Sequence, residues 1–145
     1  MRFRIAAAVL LVADLAVGVW ALAWPRSFYD DFPGGGRHWV SVDGSFNEHL
    51  VRDVGALNLA LAVVALAAVL RPGRFGRLCG AAHLVWAAPH LWYHAAHLHL
   101  MPAADAIAMT VSLAVPVLAA MFLLVFRALS TKFLPTSVPR AHEWR

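Results

Sequence analysis

Residues 83–97 read H-L-V-W-A-A-P-H-L-W-Y-H-A-A-H, an apolar stretch that carries four histidines, His83, His90, His94 and His97. At about 100° per residue, offsets of 7, 11 and 14 positions place all four on one helix face, in a stripe roughly 60° wide. Imidazoles facing lipid would be costly, so a membrane helix with this pattern is expected to turn its histidines toward the interior of a bundle. The stretch therefore predicts a membrane helix bundle with a polar site inside it.

The composition extends this prediction to the whole chain. Of the 145 residues, 61% are hydrophobic and only 14% are charged, which is too apolar for an ordinary soluble domain. Four apolar segments are each long enough to span a hydrocarbon core of roughly 30 Å. They lie at about 4–24, 49–70, 77–98 and 103–127. We predict an all-α fold, an integral membrane four-helix bundle forming a single domain over residues 1–130, followed by a cytoplasmic tail over residues 131–145.

The distribution of Lys and Arg predicts how this bundle is oriented. Basic residues cluster before the first segment, between the second and third, and after the fourth, whereas the connection at 99–102 has none. Such residues stay on the cytoplasmic side, so both termini are expected in the cytoplasm of a multi-pass cell-membrane protein. The net charge of +4 is then explained by loops that contact anionic lipid of the bilayer. The basic residues form no stripe of the kind that a nucleic-acid partner needs, so nucleic acid is excluded as a partner.

The connection between the first two segments is long and rich in aromatic residues. Pro33 and the run Gly34–Gly36 mark a turn within it. Three aromatic side chains suit a membrane interface: Trp24, Tyr29 and Trp39. We expect an ordered extracytoplasmic loop that caps the bundle. The alternative is a solvated turn with interfacial anchors.

The second segment opens with charged residues. Asn47 is a predicted N-cap, and Glu48 lies four residues before Arg52 on the same helix face. His49 and Asp53 have the same spacing, which is that of a metal ligand and the carboxylate that orients it. Asp53 could equally be a ligand itself. The simpler interpretation is a helix end stapled by two ion pairs.

Consecutive membrane segments run in opposite directions, which brings polar groups of the second and third segments together. The C-terminal end of the histidine stripe approaches the same outer boundary from which His49 and Asp53 descend. Imidazole and carboxylate ligands suit zinc, copper or iron, and a haem b held by His49 and one histidine of the stripe is a second option. We predict a transition-metal or haem site in the outer half of the bundle, with six candidate ligands. They are His49, His90, His94, His97, Asp53 and Glu48.

Asp14 lies close to the middle of the first segment, where it is an expected partner for His83 or His90. Three alternatives to a metal site stay open. The histidines could be bonded to carbonyls and waters in a wet core, or they could form a proton path with the carboxylates. The third alternative is an enzyme that acts on a lipid or quinone, with His49 or His90 as general base and Asp53 as the residue that orients it.

Three motifs carry a resemblance to a known group: F-Y-D-D-F-P at 28–33, N-E-H-L-V-R-D-V-G-A-L-N-L-A-L-A at 47–62 and P-H-L-W-Y-H-A-A-H-L at 89–98. With these motifs the chain resembles, over about residues 5–126, a family of short bacterial four-helix membrane proteins, and it is more distantly similar to the DoxX-like group. The resemblance implies the four-helix membrane fold and a set of shared residues. They are Asn47, Glu48, His49, Arg52, Asp53, Pro89, His90 and His94.

DoxX-like proteins are associated with redox complexes. The resemblance therefore implies a further alternative, an accessory or structural subunit of a larger membrane complex. Small-residue faces such as Gly55-Ala56 would let the chain pack closely against such a partner or against a second copy of itself in a homo-oligomer.

Overall fold

The computed structural model describes residues 1–132, with side chains described through residue 125. Within this range the chain is almost entirely helical, as predicted. The five α-helices are α1 (Arg2–Ala23), α2 (Pro25–Asp31), α3 (Glu48–Leu70), α4 (Pro72–Ala96) and α5 (Ala103–Lys132). The predicted tail at 131–145 lies outside the described residues, except for its first two positions, which belong to α5.

Three of these helices are long and apolar enough to cross a membrane, namely α1, α3 and α5 through Val125. The helix α4 has 25 residues, but Arg74, Arg77 and three histidines make it less apolar than the other three. The prediction of a membrane protein is thus supported, while the fourth crossing is not established by length and hydropathy.

The four long helices form a ring built from two closely packed pairs. The helix α1 packs mainly on α3, and α4 packs mainly on α5, while α3 with α4 and α1 with α5 close the ring. Glycines allow the close approach within each pair. A Cβ at Gly55 would lie 2.6 Å from the backbone nitrogen of Leu22, and one at Gly80 would lie 2.6 Å from the carbonyl oxygen of Ala120. The two pairs, rather than four equivalent helices, are the packing units of the fold.

The two ends of the bundle are filled differently. At the end near the N-terminus, a tight buried cluster includes Leu10, Cys79 and Leu123 with small alanines between them. At the opposite end, the bundle is covered by residues 25–47, which we call the cap. The bundle interior is therefore tightly packed at the end near the N-terminus and covered by the cap at the other end.

The cap is ordered, as predicted, and its first part is a helix that was not predicted. Pro25 occupies the first turn of α2, a position that suits proline because its fixed φ matches the helix and the missing N–H has no helical partner there. Pairs four residues apart hold this short helix: Arg26 Nε donates to Asp30 at 2.6 Å, and Ser27 Oγ donates to Asp31 at 3.0 Å. The Asp30 hydrogen bond raises the pKa of the Arg26 guanidinium.

After α2, the cap folds into a small hairpin at the predicted turn. Strands β1 (Pro33–Gly34) and β2 (Arg37–His38) pair antiparallel across Gly35 and Gly36. The φ values of these two glycines are 67° and 76°, a left-handed conformation that tight hairpin turns require and that glycine adopts without strain. A 3₁₀ turn over Ser41–Asp43 then leads to α3, whose N-cap is Asn47, as predicted: its side chain accepts from Leu50 N at 3.1 Å.

The helix α4 differs from the predicted third segment at both ends. It begins at Pro72 rather than about residue 77, because Pro72 again suits a first helical turn. It ends at Ala96, so His97 is the C-cap and is followed by a 3₁₀ turn at Leu98–Leu100. The last histidine of the stripe therefore lies outside the regular helix.

Candidate functional site

A cavity of about 530 Å³ lies in the half of the bundle beneath the cap. All four long helices line it, and the aromatic side chains of Phe28, Phe32 and Trp39 contribute to its roof. Most of its lining is apolar, with a small number of polar groups. Both the volume and this lining are typical of small-molecule sites, which span roughly 300–1,000 Å³. The cavity is the candidate functional site.

A buried pair of polar residues lies at the end of the cavity farthest from the cap, which we call the deep end. His83 Nε2 lies 2.8 Å from Asp14 Oδ2, and both side chains line the cavity. His83 is 2% exposed and Asp14 is 6% exposed, so neither reaches bulk solvent. This contact confirms the predicted pairing of Asp14 with a histidine of the stripe.

The hydrogen bonds of His83 fix how many protons this pair holds. Its Nδ1 lies 2.8 Å from the carbonyl oxygen of Cys79, and because a carbonyl only accepts, Nδ1 must carry hydrogen. Nε2 and the Asp14 oxygen then share one proton, whichever of the two atoms carries it. In either arrangement the charges of the pair sum to zero, so the bundle buries no net charge here.

Two further histidines line the cavity above this pair. His90 stacks on Trp86 with ring centroids 5.1 Å apart, and its ring meets that of His94 edge to face at 4.7 Å. His94 Nδ1 approaches Asp43 of the cap at 3.8 Å. No hydrogen bond joins the His90 nitrogens to another of the described residues. His90 therefore keeps a free donor and a free acceptor on its ring nitrogens.

An amide is a further polar group in the deep half of the cavity. Asn58 of α3 is 5% exposed and lines the cavity, and its Nδ2 donates to the carbonyl of Val54 at 2.8 Å. Its Oδ1 accepts no hydrogen bond from the described residues. The side chain thus presents an acceptor toward the interior of the bundle.

Contacts between the cap and the helices hold the roof in place. Arg37 forms an ion pair with Asp105 in the first turn of α5 at 3.2 Å. Within the cap itself, the Tyr29 hydroxyl donates to the carbonyl of Gly44. The Asp43 contact with His94 adds a link to α4. Exposed ion pairs of this kind contribute little stability, so the buried aromatic side chains are the main anchor of the cap.

The charged start of α3 does not join the cavity. Glu48 pairs with Arg52 at 2.8 Å, and His49 pairs with Asp53 at 3.4 Å, with the side chains of this second pair 86% and 61% exposed. Arg52 also donates to the carbonyl oxygen of Leu22. This arrangement matches the simpler interpretation, a helix end stapled by ion pairs. The enzyme hypothesis with His49 as base and Asp53 as its orienting residue is not supported by this placement.

His97 also lies apart from the cavity. Its Nδ1 donates to the carbonyl of Tyr93 at 2.7 Å, and its ring stacks on Tyr93 with centroids 4.2 Å apart. Of the four-histidine stripe, His83, His90 and His94 therefore line the cavity. Within residues 1–132, no three His, Cys, Asp or Glu side chains lie close enough together to hold a metal ion, so the metal or haem site stays a prediction.

Two residues of the site were not singled out from the sequence. Asn58 carried a signal, because an amide in the middle of an apolar segment is costly in lipid and usually faces the bundle interior. Asp43 carried none, since its approach to His94 depends on the fold of the cap. Comparison with known protein families, with curated proteins and with solved structures found no match. The resemblance to the short four-helix family and to the DoxX-like group therefore stays a prediction.

Proposed function

We propose that this chain is a four-span membrane protein, with both termini in the cytoplasm, that binds a small amphipathic molecule in the capped cavity. The observation that carries the proposal is the combination of a largely apolar cavity of about 530 Å³ with a buried, net-neutral Asp14–His83 pair at its deep end. Apolar walls suit a lipid-like or quinone-like body, and the few polar groups suit its head group. Of the two predicted acid–base candidates, His49 and His90, we favour His90, because it lines the cavity and its ring nitrogens are free.

Saturable binding of an amphipathic probe tests this proposal. We expect decylubiquinol, decylubiquinone or 1-dodecanol to change the tryptophan fluorescence of the protein in lipid nanodiscs, because Trp39 and Trp86 line the cavity. Val54→Phe, which adds bulk to a lining residue, should weaken this binding at least ten-fold. Leu57→Phe is the matched control, since Leu57 is on the same helix, is 43% exposed and does not line the cavity.

The outcomes of this experiment distinguish ligand binding in the cavity from the absence of binding and from a metal site. Equal effects of the two phenylalanine variants, or no saturable change with any of the three probes, would overturn the proposal. The same preparation should be analysed for zinc, copper, iron and haem. A stoichiometric metal that is lost in His90→Ala would favour the metal site instead, built on the adjacent rings of His90 and His94.

Accessibility of introduced cysteines tests the topology. The chain has one cysteine, Cys79, which is fully buried, so the background of a membrane-impermeant maleimide should be low. We expect Val42→Cys in the cap and His99→Cys after α4 to react in intact cells, and Arg74→Cys to react only after permeabilisation. Protection of His99→Cys together with reaction of Val42→Cys would mean that α4 does not cross the membrane.

A further inference from the structure

The hydrogen-bonding groups at the deep end indicate the chemistry of the ligand. Resting on the proposed function, we infer that the ligand places a neutral hydroxyl group, acting as a hydrogen-bond donor, against Asp14 and Asn58.

The free polar atoms at the deep end are acceptors. Asp14 uses Oδ2 for His83, and its Oδ1 has no hydrogen-bond partner among the described residues. Asn58 is in the same state, with Nδ2 bonded to Val54 and Oδ1 without a partner in residues 1–132. Both side chains are more than nine-tenths buried and line the cavity. Neither oxygen is fully enclosed by protein atoms, and both residues line the cavity, so a donor on the ligand can reach these two acceptors and pair with them.

The donors nearby are already used. His83 directs Nδ1 to the Cys79 carbonyl and Nε2 to Asp14, which leaves no N–H for the ligand. His90 offers one N–H, but it is seven residues along α4 from His83, roughly 10 Å at 1.5 Å per residue. A carbonyl head group at the deep end would therefore face acceptors only.

The two acceptors lie at neighbouring heights in the bundle. The helices α1 and α3 run antiparallel, and Gly18 packs against Gly55 and Leu59. Asp14 is one turn below Gly18 on α1, and Asn58 is one turn below Gly55 on α3. Because both residues line the same cavity, one head group at this level is within reach of either helix.

The charges around the cavity favour a neutral head group. The described residues that line it include no Lys or Arg, so a phosphate or carboxylate would lack a cationic partner. The Asp14–His83 pair sums to zero charge, so it provides no net attraction for an ammonium group at the deep end. The Asp43 carboxylate also lines the cavity, but it belongs to the cap. An ion without a counter-charge in an apolar cavity is costly, whereas a hydroxyl is not charged and can donate to both acceptors in turn.

Matched pairs of probes test the inference. We expect decylubiquinol to bind at least ten-fold more tightly than decylubiquinone under argon, and 1-dodecanol more tightly than 1-methoxydodecane, because each second member lacks the donor. A preference within the quinol pair alone would assign an aromatic quinol, and one within the alcohol pair alone would assign an aliphatic lipid alcohol. Either result, or both, supports the hydroxyl requirement.

A variant of the proposed acceptor sharpens this test. Asn58→Leu keeps the number and branching of the side-chain heavy atoms and removes the acceptor. It should reduce the preference for the hydroxyl member several-fold, with a much smaller change in the affinity for the other member. Equal affinities within both pairs of probes for the unmodified protein would overturn the inference and leave the proposed binding function standing. Absence of saturable binding by all four probes would overturn the proposed function itself.

Discussion

Replacement of Asp14 by alanine should lower the free energy of unfolding by about 3 kcal/mol, whereas Asp14→Asn should lower it by no more than about 1 kcal/mol. Alanine leaves His83 Nε2 buried without its 2.8 Å partner. Asparagine is nearly isosteric, and its Nδ2 can donate to Nε2 of a neutral imidazole that still donates from Nδ1 to the Cys79 carbonyl. The measurement is unfolding in mixed micelles with increasing dodecyl sulfate, followed by tryptophan fluorescence.

A double replacement separates the pair interaction from packing. Asp14→Leu combined with His83→Leu removes both polar groups and keeps apolar volume, so it should recover most of the stability lost in Asp14→Ala. Similar losses for alanine and asparagine at position 14 would show that a neutral hydrogen bond in place of the carboxylate contact contributes no stability. Full stability of Asp14→Ala would show that His83 is satisfied in another way.

The sequence predicted the parts of this protein that follow from local periodicity and end signals. Four features depend only on residues close in the chain. They are the apolar segments, the N-cap at Asn47, the turn at Gly34–Gly36 and the inward orientation of the histidine stripe at His83. The pairing of Asp14 with His83 was also predicted. This pairing was predictable because two polar residues buried at similar depth in an apolar bundle have few other partners.

His49 and Asp53 were predicted to join the site but do not line the cavity, because their orientation depends on tertiary structure. Because consecutive membrane helices run in opposite directions, the sequence predicted that His49 and Asp53 lie at the same height as the end of the histidine stripe. The height of a residue does not determine whether its side of the helix faces inward. In the structure, Gly55 turns one side of α3 toward α1, and the pair of His49 and Asp53 is exposed. The angle of each residue around the α3 axis, measured from Gly55, would have assigned Asn58 to a different side of the helix from these exposed residues.

The closest helix contact in the bundle leads to the second large effect. Gly55→Val should lower the free energy of unfolding by about 3 kcal/mol, because overpacking against atoms that cannot move aside is costly. Its Cβ would lie 2.6 Å from the nitrogen of Leu22 and 3.0 Å from the carbonyl oxygen of Gly18, both of them backbone atoms. The α1/α3 pair would have to separate, which would also disturb the cavity wall. The same unfolding titration measures this loss.

Two comparisons distinguish backbone overlap from a general effect of valine in the helix. Ala56→Val changes the next, exposed residue and should cost less than about 0.5 kcal/mol. Gly18→Ala should cost less than Gly55→Ala, because the atoms nearest to its new Cβ, at 2.8 and 2.9 Å, belong to the movable side chain of Leu59. Equal losses at positions 55 and 56 would mean that α1 and α3 do not pack through Gly55. The wall of the cavity that holds Asp14 and Asn58 would then need a different arrangement.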